Sequence, residues 1–144
     1  MELQTSRFGK LQVEEGEIIS FPKGIPGFED HTGFLIVATE QDEPFVYLQS
    51  VQDGDLAFIL SDPFLFYPGY EFELPDAAAA ELGVESPEQL SVRCIISLQG
   101  DLDKSTINLV APVIINVEAR LGKQVVLGQS PYTTRHPLLA AAIR

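Results

Sequence analysis

The sequence predicts an all-β protein, a small antiparallel barrel or sandwich of about ten short strands with one helix. Its apolar runs are short, rich in β-branched residues and interrupted at close intervals by Gly, Pro or Asp. Only one segment has a helical pattern. The chain has 144 residues, of which 45% are hydrophobic, which is enough for a sizeable core. We therefore expect a single domain over residues 1–144.

The first half of the chain reads as a series of strands separated by turns. LQTSRF and KLQVEE flank Phe8-Gly9, which predicts an opening hairpin. Further strands are predicted at EIISF, GFLIVAT, FVYLQSV and LAFILS, with acidic turns at EQDEP and QDGD. YEFEL alternates between apolar and acidic residues, so Tyr70, Phe72 and Leu74 are expected on one face of another strand.

The second half begins with the one predicted helix, LPDAAAAELG. Pro75 is typical of a helix start, and Gly83 is typical of a helix end. Strands are then expected at LSVRCIISL, STINLVA, VIINVEA and QVVLG, with residues 120–123 forming the hairpin turn between the last two. The final HPLLAAAIR is compatible with a terminal helix.

The charge balance excludes several classes of partner. The chain has 21 acidic and 9 basic residues, for a formal net charge of −12. Binding to nucleic acid phosphates or to an anionic membrane surface needs clustered Lys and Arg, so neither is expected. A basic protein is the partner that this charge favours.

The sequence offers little for catalysis or for metal binding. One cysteine and two histidines give no zinc spacing, and no nucleophile elbow, phosphate loop or dinucleotide fingerprint is present. The acidic DGD and DLD are best interpreted as turns. We expect no catalytic residue, metal or cofactor.

Cys94 lies in an apolar run and is interpreted as a buried, inert thiol. Such a thiol suits a reducing compartment, so the cytoplasm is the expected location.

Two apolar segments are more informative than any polar group. The first is FPKGIPGFED, residues 21–30, whose two prolines and two glycines fix its shape. One interpretation is that it plugs one end of the barrel, which we favour for Phe21 and Ile25. The other is that it presents side chains to a partner, which we favour for Phe28, Glu29 and Asp30.

The second segment is DPFLFYPGYEF. Its aromatic side chains fill the core in one interpretation, which suits alternating residues such as Tyr70 and Phe72. However, residues 64–67 are consecutive, so in an extended chain they point both ways, and the prolines around them stiffen the segment. Rigid, exposed aromatic residues are typical of interfaces. The candidate partner-binding residues are Phe28, Glu29, Asp30, Phe64, Phe66, Tyr67 and Tyr70.

These motifs also resemble a known family. FPKGIPGFED, YLQSV, DPFLFYPGYEFEL and INLVAPVIIN, followed by GKQVVL, are similar to the flagellar assembly factor FliW family, in order over about residues 1–132. The tail, residues 133–144, has no such motif. The resemblance implies a compact all-β pseudo-barrel capped by one or two short helices.

The resemblance also implies a function without catalysis. Members of this family bind the RNA-binding translational regulator CsrA and relieve its repression of flagellin synthesis, and they bind flagellin itself. By this resemblance the chain is expected to be a monomer when free. The alternative is a small β-barrel ligand-binding module or carbohydrate-acting enzyme. A pocket with converging polar groups would favour the alternative, whereas an aromatic face with an acidic rim would favour protein binding.

Overall fold

Eleven short strands and one α-helix make up the described part of the chain, residues 1–98 and 104–138 of a computed structural model. The strands are β1 (Glu2–Thr5), β2 (Gly9–Gln12), β3 (Ile19–Ser20), β4 (Gly33–Ala38), β5 (Val46–Ser50), β6 (Ala57–Ser61), β7 (Leu90–Ser97), β8 (Thr106–Ile107), β9 (Val113–Asn116), β10 (Leu121–Gln124) and β11 (His136–Pro137). The helix α1 covers Asp76–Leu82. The all-β prediction is confirmed.

Seven of these strands close into a barrel. Around the ring the order is β7, β6, β5, β4, β3, β10, β9 and back to β7. These neighbours are antiparallel, except that β3 and β10 run parallel and meet at one residue pair, Ser20 and Leu121. Strands β8 and β11 extend the sheet beyond β7, and β1 and β2 form a separate hairpin.

Strand β9 shows how the core is layered. Val113 and Ile115 pack inside the barrel with Phe34, while Ile114 packs on the outside with Leu82 of α1. Because both faces of this strand are covered, all four of its residues are buried. The short helix is therefore held by packing against the barrel wall, as its length requires.

The hairpin turn predicted at residues 120–123 is wrong by about three positions. The structure places the turn between β9 and β10, because the Asn116 side-chain oxygen accepts hydrogen bonds from the backbone N–H groups of Glu118 and Ala119, both at 3.1 Å. Gly122 instead lies within β10. A Cβ atom there would come within 2.4 Å of the Phe21 ring, so this glycine serves close packing rather than a turn.

Three other strand predictions differ from the structure. YEFEL makes no ladder hydrogen bonds and is not a strand, although its alternation of buried and exposed residues is as predicted. STINLVA forms a strand only at Thr106–Ile107, because the Asn108 side chain accepts a hydrogen bond from the Ala111 N–H and bends the chain. Of QVVLG, only Gln124 belongs to a strand.

The predictions for the chain end and for the DLD turn are largely untested. His136–Pro137 forms β11, so the predicted terminal helix does not begin there. Residues 139–144, the rest of that prediction, lie outside the described part of the chain, as does DLD at residues 101–103.

Candidate protein-binding surface

The opening loop, residues 21–30, is anchored in the barrel by its first half. Phe21 and Ile25 are 0% and 2% exposed, and both belong to the cluster inside the barrel. The Phe21 ring meets Phe34 edge-on at 5.1 Å between centroids, and on another side it covers Gly122. The plug interpretation is confirmed for Phe21 and Ile25.

Backbone contacts fold the loop tightly onto itself. The N–H of Gly24 donates to the Phe21 carbonyl at 2.8 Å, and the N–H of Phe28 donates to the Ile25 carbonyl at 2.6 Å. Gly24 has a φ of +65°, and a Cβ atom there would lie 2.6 Å from the Glu29 Cα. A residue with a side chain at position 24 would therefore be strained and would push the tip outward.

The tip of the loop combines an aromatic ring with two carboxylates. Phe28 is 38% exposed and packs edge-on against Phe58 of β6, at 5.2 Å between centroids. Glu29 and Asp30 are both exposed. The Glu29 carboxylate accepts a hydrogen bond from the Gly27 N–H at 3.0 Å, and this bond lowers its pKa, so the group stays negatively charged.

Gln52 fixes the loop's return to the sheet. Its side-chain N–H donates to the Asp30 carbonyl at 3.1 Å, and its side-chain oxygen accepts from the N–H groups of Thr32 and Gly33 at 2.6 and 3.1 Å. The acidic tip is therefore preorganised, which reduces the entropy lost when a partner binds.

A second set of contacts ties the loop to its neighbours. Glu81 of α1 bonds Lys23 of the loop at 2.6 Å and Lys123 of β10 at 2.7 Å. These two ammonium groups hold the pKa of the Glu81 carboxyl at about 2. The three charges join loop, helix and barrel close to the short parallel pair that closes the ring.

The aromatic segment, residues 62–72, is mostly structural. Asp62 accepts a hydrogen bond from the Phe64 N–H at 2.9 Å and starts a 3-10 turn at Pro63–Leu65. Phe66 is half-buried and stacks on Phe45, with ring centroids 6.4 Å apart. The Tyr67 hydroxyl donates to the Pro137 carbonyl at 2.6 Å, which links the segment to β11.

Tyr70 lies in the core, which agrees with the core interpretation of its alternating pattern. It is 4% exposed, its hydroxyl donates to the Leu109 carbonyl at 2.7 Å, and its ring packs on Tyr132 at 4.7 Å. It is therefore not placed to contact a partner directly.

Burial also raises the pKa of the Cys94 thiol, which lies beside Tyr70, to about 12, and this fits the interpretation of an inert cysteine.

The predicted partner-binding residues form two separate groups. Phe28 packs on Phe58 near the start of β6, whereas Phe64 follows the end of the same strand. Five residues of strand put these ends about 13 Å apart. In the second group, Phe64 is 41% exposed. Its neighbour Leu65, which was not among the predicted residues, is 58% exposed. Leu65 was missed, because a consecutive run does not reveal which of its side chains a turn will expose.

A groove that the sequence did not predict lies between residues 71–75 and 126–132. Its volume is about 570 Å³, and its walls include Phe72, Leu127, Val126 and the acidic Glu71 and Glu73. The alternation in YEFEL was the available signal, but the second wall comes from a distant part of the chain.

No group of three or more His, Cys, Asp or Glu side chains within residues 1–98 and 104–138 could hold a metal ion. No helix in the same ranges is long and apolar enough to cross a membrane.

Comparison with known proteins gives consistent matches along the chain. The family model described as "FliW protein" matches residues 2–138. A protein of Moorella thermoacetica named "Flagellar assembly factor FliW" is 41% identical over 139 residues, covering 96% of this chain and 88% of the relative. A protein of Bacillus subtilis strain 168 with the same name is 41% identical over 138 residues, covering 96% of both chains. A solved structure described as "Crystal structure of the flagellar assembly factor FliW" superposes with a TM-score of 0.92 at 36% identity, covering 96% of each chain.

Proposed function

The chain belongs to the FliW family, whose curated relatives are named flagellar assembly factors, and we propose that it acts by binding two proteins in turn. One is the RNA-binding translational regulator CsrA, whose repression of flagellin mRNA translation it relieves. The other is flagellin, which it holds before export. Free flagellin then withdraws the factor from CsrA, and repression returns. The activity needs no catalysis, metal or cofactor, and it takes place in the cytoplasm.

The observation that carries this proposal is the similarity over nearly the whole chain to proteins named flagellar assembly factors, at about 41% identity. Physical features of this chain agree with it. A protein that binds RNA must present positive surface, so the net charge of −12 steers this chain towards it. The preorganised tip of the opening loop offers Phe28 flanked by Glu29 and Asp30, which is an apolar anchor beside an acidic rim.

Relief of repression has an electrostatic part in this proposal. Docking beside the RNA site of CsrA brings a strongly negative protein close to bound phosphates, and the like charges repel. Screening by salt weakens such repulsion. Inhibition of RNA binding should therefore decline between low and high ionic strength. Equal inhibition at both would leave steric or allosteric effects as the cause.

The test of the proposal is a calorimetric titration of this protein with CsrA from the same organism, with and without flagellin. We expect binding to CsrA that flagellin abolishes. Binding that flagellin leaves intact would mean separate surfaces and would remove the exchange step. Absence of binding to either protein, with a folded sample, would overturn the proposal.

A location to consider for the alternative of a carbohydrate-acting enzyme is the groove with Glu71 and Glu73. Both side chains are exposed. Neither therefore has the apolar surroundings by which glycosidases keep a carboxyl group protonated as a general acid. The assembly-factor proposal is favoured for this reason as well as for the similarity.

A further inference from the structure

We propose that the groove between residues 71–75 and 126–132 binds an extended, positively charged peptide segment of a partner protein, which adds there as a β-strand. The groove lies outside the set of candidate residues discussed above, so this inference goes beyond the proposed function.

The first wall already has the shape of a strand. Exposure alternates along residues 71–74 as it does in a strand, with Phe72 and Leu74 half-buried and Glu71 and Glu73 exposed. A stretch of five residues is about 13 Å long, which is enough for four or five residues of a bound peptide. The volume of 570 Å³ is within the range of about 300–1,000 Å³ typical of ligand sites.

Backbone groups on this wall are available to a strand. The Glu71 N–H donates to the Tyr132 hydroxyl at 3.0 Å and closes one end of the groove. The Glu73 N–H, two residues further on and therefore on the same edge, donates no hydrogen bond to any residue in 1–98 or 104–138. An unpaired donor on the edge of an extended wall is the feature by which a peptide strand is taken up.

The second wall also presents one edge outward. The N–H groups of Val125 and Leu127 donate to the carbonyls of Pro112 and Val110, at 2.9 and 2.7 Å. Backbone groups alternate between the two edges of a strand, so those of Val126 face the opposite way. Its side chain is 61% exposed and lines the groove.

The charge of the groove lining determines which kind of peptide strand it can bind. The lining includes two glutamates and neither Lys nor Arg. Acidic residues on an open edge repel a second copy of the same edge, which argues against self-pairing. Glu71 and Glu73 are two residues apart and therefore lie on the same side of the wall, about 6–7 Å apart along the chain. That spacing matches basic residues at alternate positions of an extended peptide.

The test uses a synthetic peptide of alternating lysine and valine, blocked at both ends, with a glutamate–valine peptide as the charge control. Backbone amide NMR spectra of the full chain are followed during titration, together with amide hydrogen exchange. We expect saturable shifts at Phe72, Glu73 and Val126, slower exchange at the Glu73 and Val126 amides, and at least tenfold weaker binding of the glutamate peptide.

Matched variants separate the groove from the overall charge. Glu71→Lys with Glu73→Lys should weaken binding of the lysine peptide at least tenfold. Glu15→Lys with Glu40→Lys makes the same change in charge at exposed positions outside the groove and should weaken it less than threefold.

Three results would overturn the inference. One is the absence of saturable binding, and the second is binding that leaves amide exchange at Glu73 and Val126 unchanged. The third is that cellobiose produces the shifts and the lysine peptide does not, which would make the groove a carbohydrate site. Since these experiments use neither CsrA nor flagellin, their failure leaves the proposed function to be judged by its own titration.

Discussion

The opening loop and the aromatic segment have similar compositions, but the fold uses them differently. Each contains two prolines and several large apolar side chains. The loop buries Phe21 and Ile25 in the barrel and exposes Phe28 beside two solvent-exposed carboxylates, one of which also accepts a backbone N–H. The segment packs most of its rings against one another and exposes Phe64 and Leu65, next to a carboxylate that is already used to start a turn.

On this basis we expect the tip of the opening loop, rather than Phe64, to bind a basic partner. An interface needs an anchor that can be desolvated and a rim of complementary charge. The tip of the loop has both, and its backbone hydrogen bonds hold it in place. In the aromatic segment, the carboxylate beside the exposed Phe64 is that of Asp62, which already accepts a backbone N–H, while the exposed Glu71 lines the separate groove. Replacement of the buried rings of this segment is therefore expected mainly to lower stability.

The largest loss of stability is expected when the buried half of the opening loop, which anchors it in the barrel, is changed. Phe21→Ala should lower the free energy of unfolding by about 3–5 kcal/mol, because it leaves a large cavity beneath Gly122. Phe28→Ala removes a ring that is already 38% exposed and should cost about 1 kcal/mol or less. Urea unfolding of both variants measures the contrast. Equal costs would show that the tip is as much a part of the core as the anchor.

A smaller loss of stability is expected when the aromatic segment is changed. Tyr70→Phe leaves the ring packing in place but removes the donor to the Leu109 carbonyl, which should cost about 1–3 kcal/mol. Phe64→Ser is the control on the exposed side of the same segment and should cost less. If the Tyr70 variant proved as stable as the wild type in thermal unfolding, that hydroxyl would not be a structural group.

The sequence predicted which side chains are buried better than it predicted which segments pair as strands. The alternation in YEFEL correctly placed Tyr70 inside and Glu71 and Glu73 outside, because alternation follows from an extended backbone alone. It could not show that no neighbouring strand pairs with this segment, since pairing depends on distant residues. Gly122 illustrates the same limit, because its role depends on the Phe21 ring, about a hundred positions earlier in the chain.

The candidate site was predictable to a similar extent. The split of the opening loop into a buried half and an exposed half follows from its prolines, its glycines and the order of its side chains, and it was correctly predicted. For the aromatic segment, the 3-10 turn at Pro63–Leu65 rotates consecutive side chains by an amount that the sequence does not reveal. Leu65 was missed for this reason. Tyr70 was listed as a candidate although its alternating pattern had already indicated the core, where the structure places it.

The smallest expected effect is the dependence of stability on pH near His136. Burial lowers the pKa of His136 below its ordinary value of 6.5, and its ring accepts a hydrogen bond from the Thr133 N–H at 2.8 Å. The unfolded chain therefore binds a proton more readily, and stability falls as the pH falls through 6.5 towards the lower folded value. The protection of the Leu138 amide beside β11, which is its intrinsic exchange rate divided by its observed rate at each pH, should fall between pH 7.5 and pH 5.

The opening loop should behave differently over this range. The pKa of Glu29 is shifted downward, so its charge does not change there, and protection of the Gly27 amide, which donates to this carboxylate, should not respond. His136→Gln is the control and should abolish the response at Leu138. A response that persists in this variant would assign the pH effect to another group.

The most direct test of the account is the affinity of the double variant Glu29→Lys with Asp30→Lys for CsrA, measured by calorimetry beside the wild type. Both side chains are exposed, so the variant should remain folded, which urea unfolding beside the wild type checks. The account predicts that affinity falls at least tenfold in a fully folded protein. Unchanged affinity would remove the tip of the opening loop from the interface and contradict the assignment of an acidic, preorganised docking surface.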